Sequence, residues 1–265
     1  MRIDGRRVLL TGASSGIGAA LAAELAGRGA RLVLAGRAVE RLHAVAARLD
    51  PVPPAVSGDV ADPVSVRDLV TAARRHLGGI DVLINNAGRS VYGELERTPP
   101  AEVHALLAVN FFGPLYAMLE VLPEMRRRRD GLIVNVASVA ALHGAPYLAA
   151  YAATKAALAV LGQSLRAELA AAGVGILTVY PGYTRTPLFA RETRVGGARR
   201  PRSRYAPADR VARAIVRAIE RDRRELVLSA EGTVLAVLRG IAPRLIDACM
   251  RRIAVALRVS DGIVP

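Results

Sequence analysis

Arg7-Val-Leu-Leu-Thr11 is a short apolar run that opens directly onto Gly12-Ala-Ser-Ser-Gly16-Ile-Gly18, and the chain continues as an alanine-rich helical pattern from Ala19 to Gly27. Strand, glycine turn and helix in this order leave few folds open. Glycines allow a tight turn and let a ligand approach the backbone, and the N–H groups at a helix start favour negative charge. The stretch therefore predicts the first unit of a parallel α/β sheet with a phosphate site at its rim, a seat for a dinucleotide. Composition agrees. With 52% of residues hydrophobic but only 4% aromatic, the core must be built from Ala, Val, Leu and Ile, which suits a parallel sheet covered by helices. At 265 residues the chain can bury a substantial core as one large domain or two small ones.

A second stretch carries chemistry. Ser138 is followed by Tyr151 and Lys155, the last two at the head of another alanine-rich run. Four residues apart on a helix, Tyr151 and Lys155 share one face and can share a ligand. A nearby ammonium would favour the phenolate, lowering the tyrosine pKa from about 10 toward a range useful for general acid–base work. Lys155 is the single lysine among 37 basic residues, as expected where a compact ammonium is needed rather than a guanidinium fork, although chance also leaves lone survivors. An exposed Tyr and Lys on an amphipathic helix is the bland alternative.

Thr11-Gly-x-x-x-Gly16-x-Gly18, Asn85-Asn86-Ala87-Gly88 and Tyr151-x-x-x-Lys155 together resemble the short-chain dehydrogenase/reductase family, in family order across residues 7 to about 187. The resemblance implies a single Rossmann-type, doubly wound α/β domain: a seven-stranded parallel sheet in order 3-2-1-4-5-6-7 with helices on both faces. It implies Asn110, Ser138, Tyr151 and Lys155 as the catalytic set. Tyr151 would exchange the proton, Ser138 hold the carbonyl oxygen, Lys155 lower the Tyr151 pKa and bond the nicotinamide ribose, and Asn110 interrupt its helix and hold a water path to the lysine. The cofactor is expected to touch Gly12, Ser14, Ser15, Gly16, Ile17 and Gly18, then Asp59 and Val60 at the adenine, Asn86, Ala87 and Gly88 at the ribose, and Pro181, Gly182, Thr184 and Thr186 at the nicotinamide. Thr184 stands where the family usually has valine or isoleucine. Structural alternatives remain for Asp59, as a turn cap, and for the asparagine pair, as a tie for its turn.

Arg31 to Ala35 reads as the second strand and ends at Gly36-Arg37 without a carboxylate. An acid there would grip the free ribose hydroxyls of NAD, whereas an arginine pairs with the 2′-phosphate of NADP, so Arg37 favours NADP(H) over NAD(H). Arg37 could instead point to solvent at the start of a helix over Val39 to Leu49. Further strands are expected at Pro53–Gly58, from Asp81, at Gly131–Ala137, Val174–Tyr180 and Glu225–Ser229. Helices are expected from Asp62-Pro63 to Leu77, Pro100 to Arg128, Leu148 to Ala172 and Ala208 to Asp222. In the third of these the alanines fit a homodimer or homotetramer interface as well as burial within one chain. Asn110 in its apolar stretch needs a hydrogen-bond partner.

The expected substrate lining, Ser138, Val139, Leu142, Tyr147, Leu148 and Tyr183, is mostly apolar and predicts a hydrophobic small-molecule carbonyl or alcohol. Residues 187–206 are glycine- and arginine-rich with weak periodicity and read as a mobile lid. The catalytic domain is then expected over 1–232 and a helical extension over 233–265, where Arg244, Asp247, Arg251 and Arg258 oppose Ile246, Cys249, Ile253 and Ala256 on a helix. Such a basic amphipathic helix lies on an anionic membrane or covers its own domain or a partner subunit. The net charge of +14 is spread over scattered arginines without stacking aromatics or zinc-finger spacing, which argues against nucleic acid and reads as a solvated basic surface, with attraction to acidic metabolites, anionic lipid or an acyl carrier protein as the alternative. A 3-oxoacyl-carrier substrate is thus one alternative, and an NADP-binding regulatory protein without turnover is another. One cysteine and no leader pattern predict a cytoplasmic setting, and four histidines without ligand spacing predict no metal.

Overall fold

The computed structural model describes residues 1–201 and 205–258; positions 202–204 of the expected lid and 259–265 of the expected extension lie outside the described residues. The central sheet holds β1 (Arg7–Thr11), β2 (Arg31–Gly36), β3 (Ala55–Ser57), β4 (Val82–Asn85), β5 (Gly131–Val136), β6 (Val174–Tyr180) and β7 (Glu225–Val227). All pairings are parallel, in the order β3-β2-β1-β4-β5-β6-β7, as expected. The sheet reverses direction of growth between β1 and β4, which is where open α/β sheets form a crevice for ligands.

Alternation along each strand builds two cores. Val8 and Leu10 of β1 face a cluster with Val82, Ile84, Leu21 and Ile215, whereas Leu9 between them faces Leu83, Ile133, Val70 and Met118 on the other side. The first side is covered by α1 (Gly16–Ala26), α2 (Val39–Ala46) and α7 (Ala208–Glu220), and the second by α3 (Pro63–Leu77), α5 (Gly113–Arg128) and α6 (Ala149–Leu169). Asp62 caps α3 by accepting from Val64 N and Ser65 N at 3.1 and 3.2 Å, and Pro63 fills the first helical position, where no N–H is needed. The helix after β2 stops at Ala46 rather than Leu49, because Arg48 and Leu49 tighten into bonds to residues three back.

The expected long helix from Pro100 to Arg128 has three parts: α4 (Pro100–Leu107), a π-helical turn over Ala108–Phe112, and α5. Asn110 sits at the centre of the π turn.

The segment after β6 departs from expectation. Its middle forms the strand Thr193–Val195, paired in parallel with Val91–Gly93, and Ala206–Pro207 pairs with Thr184–Arg185. Tyr92 Oη donates to Arg199 O at 2.7 Å, and the Arg200 guanidinium lies 4.7 Å from the Tyr92 ring centroid and 4.4 Å from that of Phe189 while pairing with Glu192. The described part of the lid is therefore fastened by backbone pairing and a cation–π sandwich that sequence periodicity does not register.

The C-terminal region also differs from one amphipathic helix. It folds as α8 (Ala230–Ile241) and α9 (Pro243–Leu257), broken where Ala242 precedes Pro243 and takes φ −140° and ψ 61°. The inward stripe of α9 runs Ile246, Met250, Ile253, Leu257, which leaves Cys249 and Ala256 exposed rather than beside Ile246 and Ile253.

Candidate active site

The C-terminal ends of the central strands open onto a cavity of about 1260 Å³. Its base is the glycine loop. Thr11 at the end of β1 donates its hydroxyl to Ile84 O at 3.2 Å and accepts from Asn86 N and Ala87 N at 3.1 and 3.3 Å. Asn86 Nδ2 returns bonds to Thr11 O and Gly12 O at 3.1 and 3.0 Å, so loop and turn hold each other. Gly12 has φ +66°, and a Cβ there would stand 2.7 Å from Ala87 Cα; a Cβ on Gly18 would stand 2.1 Å from Gly12 O. No side chain fits at either position. Ser15 precedes α1 without a side-chain cap, and Ser14, Ser15, Gly16 and Ile17 line the cavity. The first-turn N–H groups of α1 are thus available to an anion, and the cradle fits a pyrophosphate.

Arg37, Asp59 and Val60 also line the cavity. Arg37 is exposed, 70% of its side chain being open to solvent, and its Nη1 is 3.8 Å from Asp59 Oδ2. Asp59 also accepts from Ala61 N at 3.0 Å, the turn-capping role available to it, and its own N–H donates to Ser65 Oγ at 2.9 Å. Arg41 in the first turn of α2 also lines the cavity. Sequence reasoning missed it, although a second arginine four residues after Arg37 was a usable signal.

Ser138, Tyr151 and Lys155 are all buried and all line the cavity. Ser138 follows β5 and caps the 3-10 turn Val139–Ala141, accepting from Ala140 N at 3.2 Å. Lys155 Nζ donates to Val136 O at 2.9 Å. Burial lowers its pKa from 10.5 to about 8. The Tyr151 phenol is pushed up by burial, and the influences that pull it back are the Ser138 hydrogen bond and the Arg200 charge. Lys155 is not among the influences on the phenol in this arrangement, where the ammonium is turned to the Val136 carbonyl.

Asn110 is fully buried and satisfied. Its Oδ1 accepts from Arg89 N at 3.0 Å, and its Nδ2 donates to Arg89 O and Thr154 Oγ1, each at 3.0 Å. It thereby fastens the turn after β4 to α6. A Cβ built on Gly88 would lie 3.4 Å from Asn110 Oδ1 and 3.5 Å from Lys155 Nζ, so both atoms flank the same backbone. Below them runs a polar ladder that sequence reading did not foresee: Asn85 Nδ2 donates to Asn135 Oδ1 at 2.9 Å, and Asn135 is in register with Thr178.

Pro181, Gly182, Thr184 and Thr186 line the cavity beside Ala87 and Gly88. Thr184 Oγ1 donates to Gly182 O at 3.0 Å, and a Cβ on Gly16 would touch Thr186 Cβ at 2.9 Å, so the Pro-Gly turn meets the glycine loop.

Of the expected substrate lining, Ser138, Val139, Leu148 and Tyr183 face the cavity, whereas Leu142 and Tyr147 do not. Leu142 packs with Ala137, Ala159 and Tyr180, and its carbonyl accepts from Arg239 Nη1 at 3.0 Å. Tyr147, at φ +64°, directs its hydroxyl to Ala254 O at 3.0 Å and ties down α9. In their place the cavity takes His143, Leu188, Phe189 and Tyr205, with Leu235 of α8 and Met250, Ile253 and Leu257 of α9. The apolar stripe of the C-terminal run was the available signal, but nothing in it says which cavity it roofs.

A sequence model described as short chain dehydrogenase matches residues 6–195. An uncharacterized oxidoreductase of Staphylococcus epidermidis is 35% identical over 187 residues, covering 71% of this chain and 81% of its own. The dehydrogenase/reductase SDR family member 7B of Bos taurus is 34% identical over 258 residues, covering 90% of this chain and 78% of its own. Among solved structures, a short chain dehydrogenase/reductase from Burkholderia phymatum in complex with NAD superposes with a TM-score of 0.83 at 26% identity, over 93% of this chain and 96% of its own. One from Burkholderia cenocepacia in complex with NADP superposes with a TM-score of 0.82 at 28% identity, over 94% and 99%. Sheet order, glycine cradle and sequence agree, and the chain belongs to the short-chain dehydrogenase/reductase family of oxidoreductases.

Proposed function

We propose that the protein catalyses reversible hydride transfer between NADP(H) and a carbonyl/alcohol pair on a hydrophobic small molecule. The observation that carries this reading is a single cavity lined at once by the glycine cradle of α1, by Ser138, Tyr151 and Lys155, and by an apolar roof. The nicotinamide cofactor supplies or accepts the hydride. Tyr151 gives its phenolic proton to the carbonyl oxygen in reduction and takes it back in oxidation, at the carbonyl position that the Ser138 hydroxyl fixes by a hydrogen bond. Lys155 turns from Val136 O toward the ribose hydroxyls and the phenol, where its charge favours the phenolate. Asn110 holds the Arg89 backbone and α6 in place around that lysine, and the water path expected of it would run through the same buried polar pocket.

Arg37 supports NADP over NAD, since β2 ends without an acid and is followed by a solvent-facing guanidinium, and Arg41 of α2 lines the same cavity. The apolar roof supports a hydrophobic substrate. Phe112 at the end of the π turn, Leu119 on α5 and Val160 on α6 are exposed, and we assign these residues to a homodimer contact; a monomeric mass by light scattering would refute that. The test of the reaction is oxidation of NADPH by a panel of apolar ketones. Turnover with NADPH above NADH supports the reading. Cofactor binding without turnover on any ketone or alcohol would move the protein to a regulatory role.

A further inference from the structure

The two C-terminal helices are two-sided. Inward, Leu235, Met250, Ile253 and Leu257 roof the cavity, and Gly232 lets α8 approach Val139 closely. Outward, α8 is almost bare. Val234, Val237 and Ile241 recur at helical spacing and are 53%, 56% and 76% exposed, and Leu245 at the start of α9 is 61% exposed. A polar surface would cost this fold nothing here, yet the stripe is aliphatic. Along α9 and at its C-cap, Arg244, Arg251, Arg252 and Arg258 stand at exposed positions, while Arg239 of α8 is bonded to Leu142 O; the pair carries two acids, Glu231 and Asp247.

We infer that α8 and α9 form an interfacial platform that seats the protein on an anionic bilayer, with the aliphatic stripe of α8 in the acyl boundary and the arginines at the headgroups. Length decides between spanning and lying flat. The two helices have 12 and 15 residues, short of the roughly 20 that a spanning helix needs, and arginines interrupt the second. Charge complementarity decides the occupant: a second copy docked through this same face would set its arginines against their own counterparts, with two acids to offset them, whereas anionic headgroups neutralise them. The fold adds a consequence. Because the opposite faces of the same helices roof the cavity, a lipid-soluble substrate would have a short path from bilayer to Tyr151. This last step rests on the proposed hydrophobic substrate; the docking itself does not.

The test is co-sedimentation of the full chain with phosphatidylglycerol/phosphatidylcholine vesicles and with phosphatidylcholine vesicles alone. The protein is expected to pellet with the anionic vesicles and to remain in solution with the neutral ones. Val234→Ser, Val237→Ser and Ile241→Ser combined should reduce the bound fraction roughly tenfold or more. Arg244→Glu with Arg251→Glu and Arg252→Glu should abolish the lipid preference. NADPH titration of each variant reports that the fold and the cofactor site are intact, so failure of the hydride reading and failure of the docking reading are separated. The inference is overturned if the wild-type chain stays in the supernatant, if it pellets equally on both lipids, or if the triple serine variant binds as the wild type does. It is equally overturned if that variant instead halves the molecular mass in solution, which would make the stripe a contact between copies.

Discussion

The two rims of the sheet both bury charge, and they do so in opposite ways. At the rim where the strands begin, Asp81 sits with Arg7 and Arg128: Arg7 Nε and N donate to Asp81 Oδ2 at 2.9 and 3.0 Å, and Arg128 Nη2 is 3.3 Å from Oδ1. Burial alone would raise the carboxyl's pKa, but the Arg7 hydrogen bonds and the two positive charges outweigh it and hold the value below the ordinary range. At the rim where the strands end, Lys155 is buried with a carbonyl as partner, and its pKa falls to about 8. A matched cluster keeps its groups charged at every physiological pH and serves stability. An ammonium buried with a carbonyl and no carboxylate is held at a cost to stability, the kind of perturbed group that the proposed proton transfer would use.

The comparison breaks first at Tyr151. Tyr151→Phe should lower turnover by on the order of 10³-fold while the affinity for NADPH, read by fluorescence titration, stays within about twofold. Near-normal turnover would take the proton donor elsewhere. Lys155→Arg keeps the charge but not the compact shape, and a fall of about 10²-fold in turnover is expected; full activity would show that the single lysine is accidental.

Two stability effects of similar size sharpen the contrast. Asp81→Ala leaves Arg7 and Arg128 unpaired and should cost about 3 kcal/mol in urea unfolding at neutral pH. Because the folded pKa of Asp81 is depressed, that contribution is present above the unfolded value and is lost as pH falls through the folded one. The mutant and wild type should therefore converge in acid. Lys155 also has a depressed folded pKa, about 8 against 10.5, so between these values the unfolded chain binds more protons and stability rises with pH. Lys155→Met should accordingly be more stable than wild type at pH 7, by on the order of 3 kcal/mol, with the advantage shrinking toward pH 10.5. A difference that does not vary with pH would mean that the lysine is not buried as a charge. The smallest effect concerns the exposed Arg37. Arg37→Ser should weaken NADPH about tenfold and leave NADH unchanged, since a solvent-facing guanidinium pairs with phosphate through screened water.

The sheet was legible because its signals are local. Val8, Leu9 and Leu10 alternate between two cores, Gly12 and Gly18 stand where any Cβ collides, and Asp62-Pro63 starts a helix. Each of these is a property of a few neighbouring residues. Asn110 was legible as a buried amide in need of partners, but not that Arg89 and Thr154 would supply them. The fastening at Tyr92, Glu192 and Arg200 was illegible for a related reason: Tyr92 and Arg200 are 108 positions apart, and no periodicity encodes a contact of that span. Leu142 and Tyr147 illustrate the same limit at short range. They adjoin residues that do line the cavity, but the 3-10 turn at Val139–Ala141 and the positive φ at Tyr147 turn them away from it.

By itself the sequence determined the strand order's ingredients, the glycine cradle and the Ser138, Tyr151 and Lys155 trio, because each depends on spacing within one strand-turn-helix unit. The tertiary structure alone decided the direction of the Lys155 ammonium, the partners of Asn110 and the use of α9 as a roof rather than a free tail. Those depend on which distant surfaces meet, and burial, which sets both the pKa values and the cavity wall, exists only after they have met.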